Sequence, residues 1–292
     1  GVSYDEDPIY LYQNIGSFNP ILVVVSDYGC ENNFVGTVKV NEIPSANFLV
    51  ENHCQGEENI FTDNSTINEG SIDFYNFDLG DGTISNNDTI VYYQYNQSGV
   101  YTVTLTIVSN KGCESEISKQ TEVYENPVID FVSEQFCIGT PTYFTDFSYV
   151  NNGTIIEWGW GFGDGIGISN IEHPTYTFND IGAYQVGLSA TSSRGCTQTG
   201  EKIITIFDLP TVDFTAESFV CLGDEISFTD LSKINGASIV NWVWNLGDGT
   251  IDNNQHPNHT YNLAHVFDIS LIVTSSEGCM NDTLVPAMIE VF

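Results

Sequence analysis

The sequence predicts an all-β chain, a tandem run of immunoglobulin-like antiparallel β-sandwiches in an extended array, and three observations predict it. A Gly-Cys pair stands at Gly29-Cys30, Gly112-Cys113, Gly195-Cys196 and Gly278-Cys279, each 83 residues after the last. A Gly-Asp-Gly triplet stands at Gly80-Asp81-Gly82, Gly163-Asp164-Gly165 and Gly247-Asp248-Gly249, on steps of 83 and 84. A fixed period of this kind is the mark of one unit copied in line. Finally, the apolar residues alternate with a period of two: Tyr101, Val103, Leu105 and Ile107 interleave with Thr102, Thr104 and Thr106, and the face returns at Tyr184, Val186 and Leu188 and at Phe267, Ile269, Leu271 and Val273. Such strands are half-buried and antiparallel.

The unit boundaries follow from proline. Pro44, Pro127 and Pro210 each follow an extended run. Proline cannot donate to a ladder and favours extended backbone before it, so these sites read as the hand-over from one repeat to the next. The units are then 1–43, 44–126, 127–209 and 210–292. Turn-rich stretches such as Ser85-Asn86-Asn87-Asp88 and Asp252-Asn253-Asn254-Gln255 separate the strands, and no window has the pattern of an amphipathic helix. Many short strands with Gly and Asn turns imply two packed sheets. The first 43 residues align with the last half of a unit, Tyr12 on Tyr95 and Leu22 on Leu105. Half a sandwich exposes its core, so the missing strands are expected upstream.

Composition limits the partners. The chain has 6 Lys plus Arg against 39 Asp plus Glu, a formal charge of −33. Nucleic acid is excluded as a partner, because phosphate binding draws on clustered cations and none cluster here. Hydrophobic residues at 41% and aromatics at 13% put the charge on folded domains instead of a disordered acidic tail. No apolar run reaches the roughly 18 residues of a membrane-spanning helix, so this segment is not expected to cross a membrane.

Each full unit reads as Phe-Thr-Asp, then an aromatic strand ending in Gly-Asp-Gly, then Gly-x-aromatic and an alternating strand. The matching positions are Phe61-Thr62-Asp63, Phe144-Thr145-Asp146 and Phe228-Thr229-Asp230, followed by Phe77 to Gly82, Trp160 to Gly165 and Trp244 to Gly249. This pattern resembles the PKD (polycystic kidney disease) domain, and the resemblance covers the three full repeats. It departs at Phe77, where tryptophan is usual, at Gly161 and Asn245, where aspartate is usual, and at Ala264-His265-Val266, where Gly99 and Gly182 stand in the other repeats. The resemblance implies an extracellular, non-catalytic β-sandwich that serves as spacer or adhesive module. In style the chain is also similar to the very large repetitive surface adhesins of gliding Bacteroidota, which leave the cell by the type IX secretion system.

Candidate chemistry is sparse. Asp81, Asp164 and Asp248 are candidate calcium ligands, yet calcium takes six to eight oxygens and each loop offers one aspartate, with Asp78 as a helper in the first full repeat only. The other reading has the carboxylate capping backbone N–H groups of a tight turn while the glycines adopt positive φ. Tyr75 with Phe77, Trp158 with Trp160 and Trp242 with Trp244 lie two apart on one strand face and could stack on sugars; the same face continues into Leu79, Phe162 and Leu246, which suits a buried core. His256 and His259 lack further ligands at zinc spacing, and His173-Pro174 marks His256-Pro257 as a repeat-wide turn. No catalytic constellation stands out, so neither an enzyme nor a cofactor is expected.

The cysteines allow two frameworks. Cys54, Cys137 and Cys221 lie early in their repeats, and Cys30, Cys113, Cys196 and Cys279 lie after the turn joining the last two strands. Pairing within each unit gives Cys54 to Cys113, Cys137 to Cys196 and Cys221 to Cys279. In an immunoglobulin-like sandwich, however, these loops lie at opposite ends, about 25–33 Å apart, whereas a disulfide tolerates Cα separations up to about 7 Å. Staples between neighbours avoid the conflict: Cys54 to Cys196 and Cys137 to Cys279. The function expected is a non-catalytic stalk segment of an extracellular, cell-surface adhesin filament, adhesive or force-transmitting, with gliding motility as its setting. Its partners would be neighbouring repeats, other surface or motility proteins, or surface glycans. The alternative is an accessory spacer or carbohydrate-binding array of a secreted hydrolase.

Overall fold

The computed structural model describes residues 1–292. Every regular element is a β-strand. The chain divides into two compact units, residues 1–126 and 127–292.

In the first unit, residues 1–43 form a hairpin from two stacked pairs, Gly16–Phe18 with Val38–Val40 and Ile21–Val25 with Glu31–Val35. The interruption falls at Pro20, which has no N–H to give. No second sheet covers this hairpin: Ile21, Leu22, Val23, Val24 and Val25 are all more than half exposed. Residues 44–126 close as a complete sandwich. One sheet runs Ile90–Gln94, Glu58–Asp63, Phe48–Leu49; the other runs His53–Cys54, Glu114–Tyr124, Gly99–Ser109, Ile72–Asp78, Ile84–Asn86. Neighbours are antiparallel except His53–Cys54, which pairs parallel with the end of Glu114–Tyr124.

The second unit holds two further sandwiches. Residues 127–209 pair Phe131–Glu134, Pro141–Asp146 and Thr175–Thr177 in one sheet, and Ile168–Ser169, Ile155–Gly161, Gly182–Ser192 and Thr197–Ile206 in the other. Residues 210–292 repeat the larger sheet as Phe219–Val220, Met280–Val291, Val266–Ser275, Ile239–Asn245, Ile251–Asp252. The register shifts at the same place in both, between Ile155 and Glu157 and between Ile239 and Asn241. A bulge there bends the strand entering the core, a device that recurs where sheets must curl.

Alternation sets the core. In Gly99–Ser109 the inward residues Val103, Leu105 and Ile107 are fully buried, while the threonines between them face outward. Phe77, Trp160 and Trp244 sit at the centres of the three cores at 0%, 2% and 0% exposure. A phenylalanine from the first strand meets each edge-on: Phe48 on Phe77, Phe131 on Trp160 and Phe214 on Trp244, at centroid distances of 5.6, 5.0 and 5.1 Å. Edge-to-face contact is the favoured arrangement of aromatic quadrupoles.

A lysine ties the last strand back to the first in two of the repeats. Lys119 Nζ donates to Asn47 Oδ1 at 2.9 Å and to the Phe48 carbonyl, and lies 5.1 Å from the Phe48 ring centroid. Lys202 Nζ does the same with Asp130 Oδ1 at 2.6 Å, the Phe131 carbonyl and the Phe131 ring. The bond from Lys202 holds the Asp130 carboxyl below its ordinary range. At the third equivalent position Val285 packs on the core instead.

Candidate functional site: the Gly-Asp-Gly loop and the cysteine joint

The Gly-Asp-Gly loop leaves the central aromatic strand and turns back on itself. Its first glycine lies against the neighbouring strand. A Cβ on Gly80 would stand 2.5 Å from the Thr102 carbonyl oxygen, on Gly163 2.5 Å from that of Gln185, and on Gly247 2.6 Å from that of Asp268. These residues also have φ of 82°, 80° and 84°. The second glycines, Gly82, Gly165 and Gly249, share the positive φ but face open space. Alanine at Gly163 is therefore expected to destabilise its repeat by more than alanine at Gly165. The left-handed backbone costs each about 1–2 kcal/mol, and only Gly163 adds an overlap with fixed backbone. Urea melts of the two variants check the order, and equal losses would contradict it.

The aspartates are engaged from two sides. Asp81 Oδ1 accepts from the Thr83 N–H at 3.0 Å, and its Oδ2 accepts from the Tyr93 hydroxyl at 2.6 Å. Asp164 accepts from the N–H groups of Ile166 and Gly167 at 3.1 and 2.7 Å and from the Tyr176 hydroxyl. Asp248 accepts from the Thr250 N–H at 2.9 Å and faces His259 Nε2 at 2.8 Å. Partial burial pushes these carboxyls up, but the hydrogen bonds outweigh it and all three lie below the ordinary range. The bond from Asp164, ahead of burial, pushes Tyr176 up to about 12. No group of three or more His, Cys, Asp or Glu side chains is gathered to hold a metal ion.

A sign follows for pH. Carboxyls that titrate lower in the folded state contribute stability that is present above about pH 4 and is lost as pH falls through the lowered folded values. Relief of the overall negative charge acts in the opposite sense, so the informative quantity is a difference between two proteins. The gap in melting temperature between the wild type and Asp164→Asn is expected to be widest near pH 7 and to shrink below about pH 4. A gap independent of pH would show that the charge of Asp164 adds nothing.

The outer aromatics are held by a latch that the sequence reading missed. Trp158 Nε1 donates to Asp146 Oδ2 at 2.7 Å, and Trp242 Nε1 donates to Asp230 Oδ2 at 2.8 Å. The backbone N–H of each aspartate donates in turn to Nδ1 of His173 or His256, at 3.1 Å in both. The Phe-Thr-Asp triplet, the outer tryptophan and the His-Pro turn thus form one unit. Half-buried against the core, Trp158 and Trp242 commit their polar edges inward. The signal in the sequence was the constant spacing of 12 residues from Asp146 to Trp158 and from Asp230 to Trp242. In residues 44–126 the outer position is Tyr75; burial and then the nearby Asp63 push its hydroxyl pKa up.

The Gly-Cys pair also belongs to a longer motif. Its turn is closed by a serine three residues before the glycine: Ser192 N donates to the Cys196 carbonyl at 2.8 Å and Cys196 N donates to Ser192 Oγ at 3.2 Å. Ser275 with Cys279, Ser109 with Cys113 and Ser26 with Cys30 repeat both bonds. The other cysteine type lies where the first strand's continuation meets the end of the last strand. Cys137 bridges in parallel to Phe207, and the Ile138 N–H donates to the Phe207 carbonyl at 2.9 Å.

Within residues 127–292, Cys137 of one sandwich is disulfide-bonded to Cys279 of the next, with a Cα separation of 5.6 Å. This bond overturns the pairing of Cys137 with Cys196 and of Cys221 with Cys279. Cys113 and Cys221 are free thiols, as is Cys30, which removes Cys54 to Cys113 as well. The physical reason is the parallel pairing beside the last strand. It carries the early cysteine to the end of its sandwich that the next repeat approaches, a strand length from its own Gly-Cys turn.

Sandwich cores, capped loops and a covalent bond between adjacent repeats define a tandem β-sandwich repeat protein. A PKD domain model matches residues 41–123, 124–206 and 208–289, and the chain belongs to the PKD domain family. PKD domains are non-catalytic accessory modules. Among curated proteins it is similar to collagenase ColA of Clostridium perfringens, 33% identical over 99 residues, which is 33% of this chain and 9% of the collagenase. It is also similar to the pre-pro-metalloprotease PrtV of Vibrio cholerae, 23% identical over 130 residues, 44% of this chain and 14% of that protein. The chain thus spans only a small part of either relative. Among solved structures, the PKD1 domain of PrtV is 27% identical and covers 28% of this chain and 96% of its own, with a TM-score of 0.26. The three N-terminal domains of the bacteriophage RB49 Highly Immunogenic Outer Capsid protein are 14% identical, with coverage of 85% and 98% and a TM-score of 0.44.

Proposed function

We propose that this chain is a non-catalytic segment of an extracellular, cell-surface adhesin, in which sandwich repeats act as a stalk and pass force from one to the next. The observation that carries the reading is the Cys137–Cys279 bond, which joins one repeat to its neighbour instead of closing a loop inside either. A disulfide persists in oxidising surroundings, which supports a site outside the cytoplasm. Repeats that each bury their own core and touch only neighbours form a one-dimensional array suited to bearing load. We extend the same staple to Cys54 with Cys196, whose separation of 142 residues equals that of Cys137 with Cys279. Calcium has no role in this proposal, so the melting temperature is expected to be the same in EDTA and in calcium. Export by the type IX system and service in gliding motility complete the proposal.

Antibodies against the chain test it directly. Labelling of intact, non-permeabilised cells, together with loss of surface attachment or gliding on deletion of the gene, is the expected result. A second reading is favoured by the matches to a collagenase and a metalloprotease: an accessory array that positions a secreted hydrolase. Antigen found only in culture fluid, co-purifying with peptidase activity, would replace the first reading with this one. A glycan array on the purified chain separates spacer from sugar binder, and specific retention of any glycan would favour the binder.

A further inference from the structure

We infer that the far end of residues 210–292 is a docking seat for one more repeat of this same kind, which enters with its Gly-Cys turn and is bonded through Cys221. The inference rests on the stapled-array reading and goes beyond it, because nothing in the chain pairs with Cys221.

The seat is built, and an equivalent one in the same unit is occupied. Around Cys137 the Ile138 N–H donates to the Phe207 carbonyl at 2.9 Å; around Cys221 the Leu222 N–H donates to the Phe292 carbonyl, also at 2.9 Å. Both cysteines close the same short turn, with the Thr140 N–H donating to the Cys137 carbonyl and the Asp224 N–H donating to that of Cys221. The backbone that aims the thiol is therefore the same in the two repeats. What differs is cover. Cys137, Ile138 and Phe207 are half-buried where residues 210–292 follow. Cys221 is exposed and free, Leu222 is 51% exposed and Phe292 is 65% exposed. An apolar rim around a free, exposed thiol, in the geometry that already grips a Gly-Cys turn once, fits a second such turn and not a small ligand.

The chemistry is thiol–disulfide exchange. A small-molecule disulfide such as oxidised glutathione accepts the two electrons, the thiol of Cys221 and that of the incoming turn lose their protons and join, and two glutathione thiols leave. The exposure of Cys221 gives the incoming disulfide access to its sulfur.

The test extends the full chain. A copy of residues 127–209 is appended directly after Phe292 in a Cys30→Ser, Cys113→Ser background, oxidised with a glutathione redox pair and mapped by non-reducing peptide digestion. The expected product joins Cys221 to the appended copy of Cys196, with alkylation of Cys221 falling about tenfold or more against the unextended chain. Adding Cys221→Ser should leave the copied Cys196 open to alkylation. The inference is overturned if Cys221 stays alkylated or pairs with the appended copy of Cys137. The Cys137–Cys279 peptide in the same digest separates the two failures. If it is present while Cys221 is open, only the docking seat is lost; if it is absent, the stapled array itself falls.

Discussion

Alanine in place of Trp244 is expected to cost its repeat about 3–5 kcal/mol, the range for removing a large aromatic from a packed core. The side chain is fully buried, and Phe214 and Phe228 pack on it at centroid distances of 5.1 and 5.7 Å. Truncation leaves a cavity between two sheets and strips the Asn254 carbonyl of the indole N–H that reaches it at 2.9 Å. A unit of this size holds roughly 4–12 kcal/mol in total, so the loss takes a large share of it. Phenylalanine at the same position should cost far less, about 1–2 kcal/mol, because it keeps most of the volume and gives up one hydrogen bond. The molecule already contains that solution, since Phe77 fills the equivalent site at zero exposure. Urea unfolding of the two variants reads both figures; a loss under about 1 kcal/mol for alanine would remove Trp244 from the centre of the core.

The second large effect lies at the joint. Changing Cys137 and Cys279 together to serine should lower the stability of residues 127–292 by about 2–4 kcal/mol, the usual worth of a native disulfide. The form of the loss is the sharper expectation. The aromatic clusters around Trp160 and Trp244 are separate, so both sandwiches should still fold. Without the bond they should melt as two transitions instead of one coupled event, because only the interface then links them. Differential scanning calorimetry before and after reduction makes the comparison. Superimposable traces, with both thiols shown to be reduced, would mean that the staple carries no coupling.

Much of this architecture was legible because a repeat is its own alignment. Period-two alternation at Val103, Leu105 and Ile107 marked a buried face, and the same pattern 83 residues on removed the ambiguity of a single short strand. Gly80, Gly163 and Gly247 signalled a special backbone, since a position held by glycine in every copy usually needs positive φ or close approach. The latch between Asp146, Trp158 and His173 was harder to see. Its members lie 12 and 27 residues apart on different strands, and only sheet pairing brings them together. The serine that closes each Gly-Cys turn was visible at constant spacing, but its role depends on a hydrogen bond that spacing alone does not specify.

By itself the sequence determined the all-β class, the period and the aromatic core positions, because alternation and turn chemistry are properties of neighbouring residues and a repeat displays them several times over. The sequence left two cysteine frameworks open, with the staple between neighbours favoured on topology, and the tertiary structure decided for the staple at Cys137 and Cys279. Cys137 lies nearer in sequence to Cys196 than to Cys279, yet it bonds to Cys279. A disulfide forms between ends that approach in space, and the parallel pairing that carries Cys137 to the end of its sandwich is a long-range contact with Phe207.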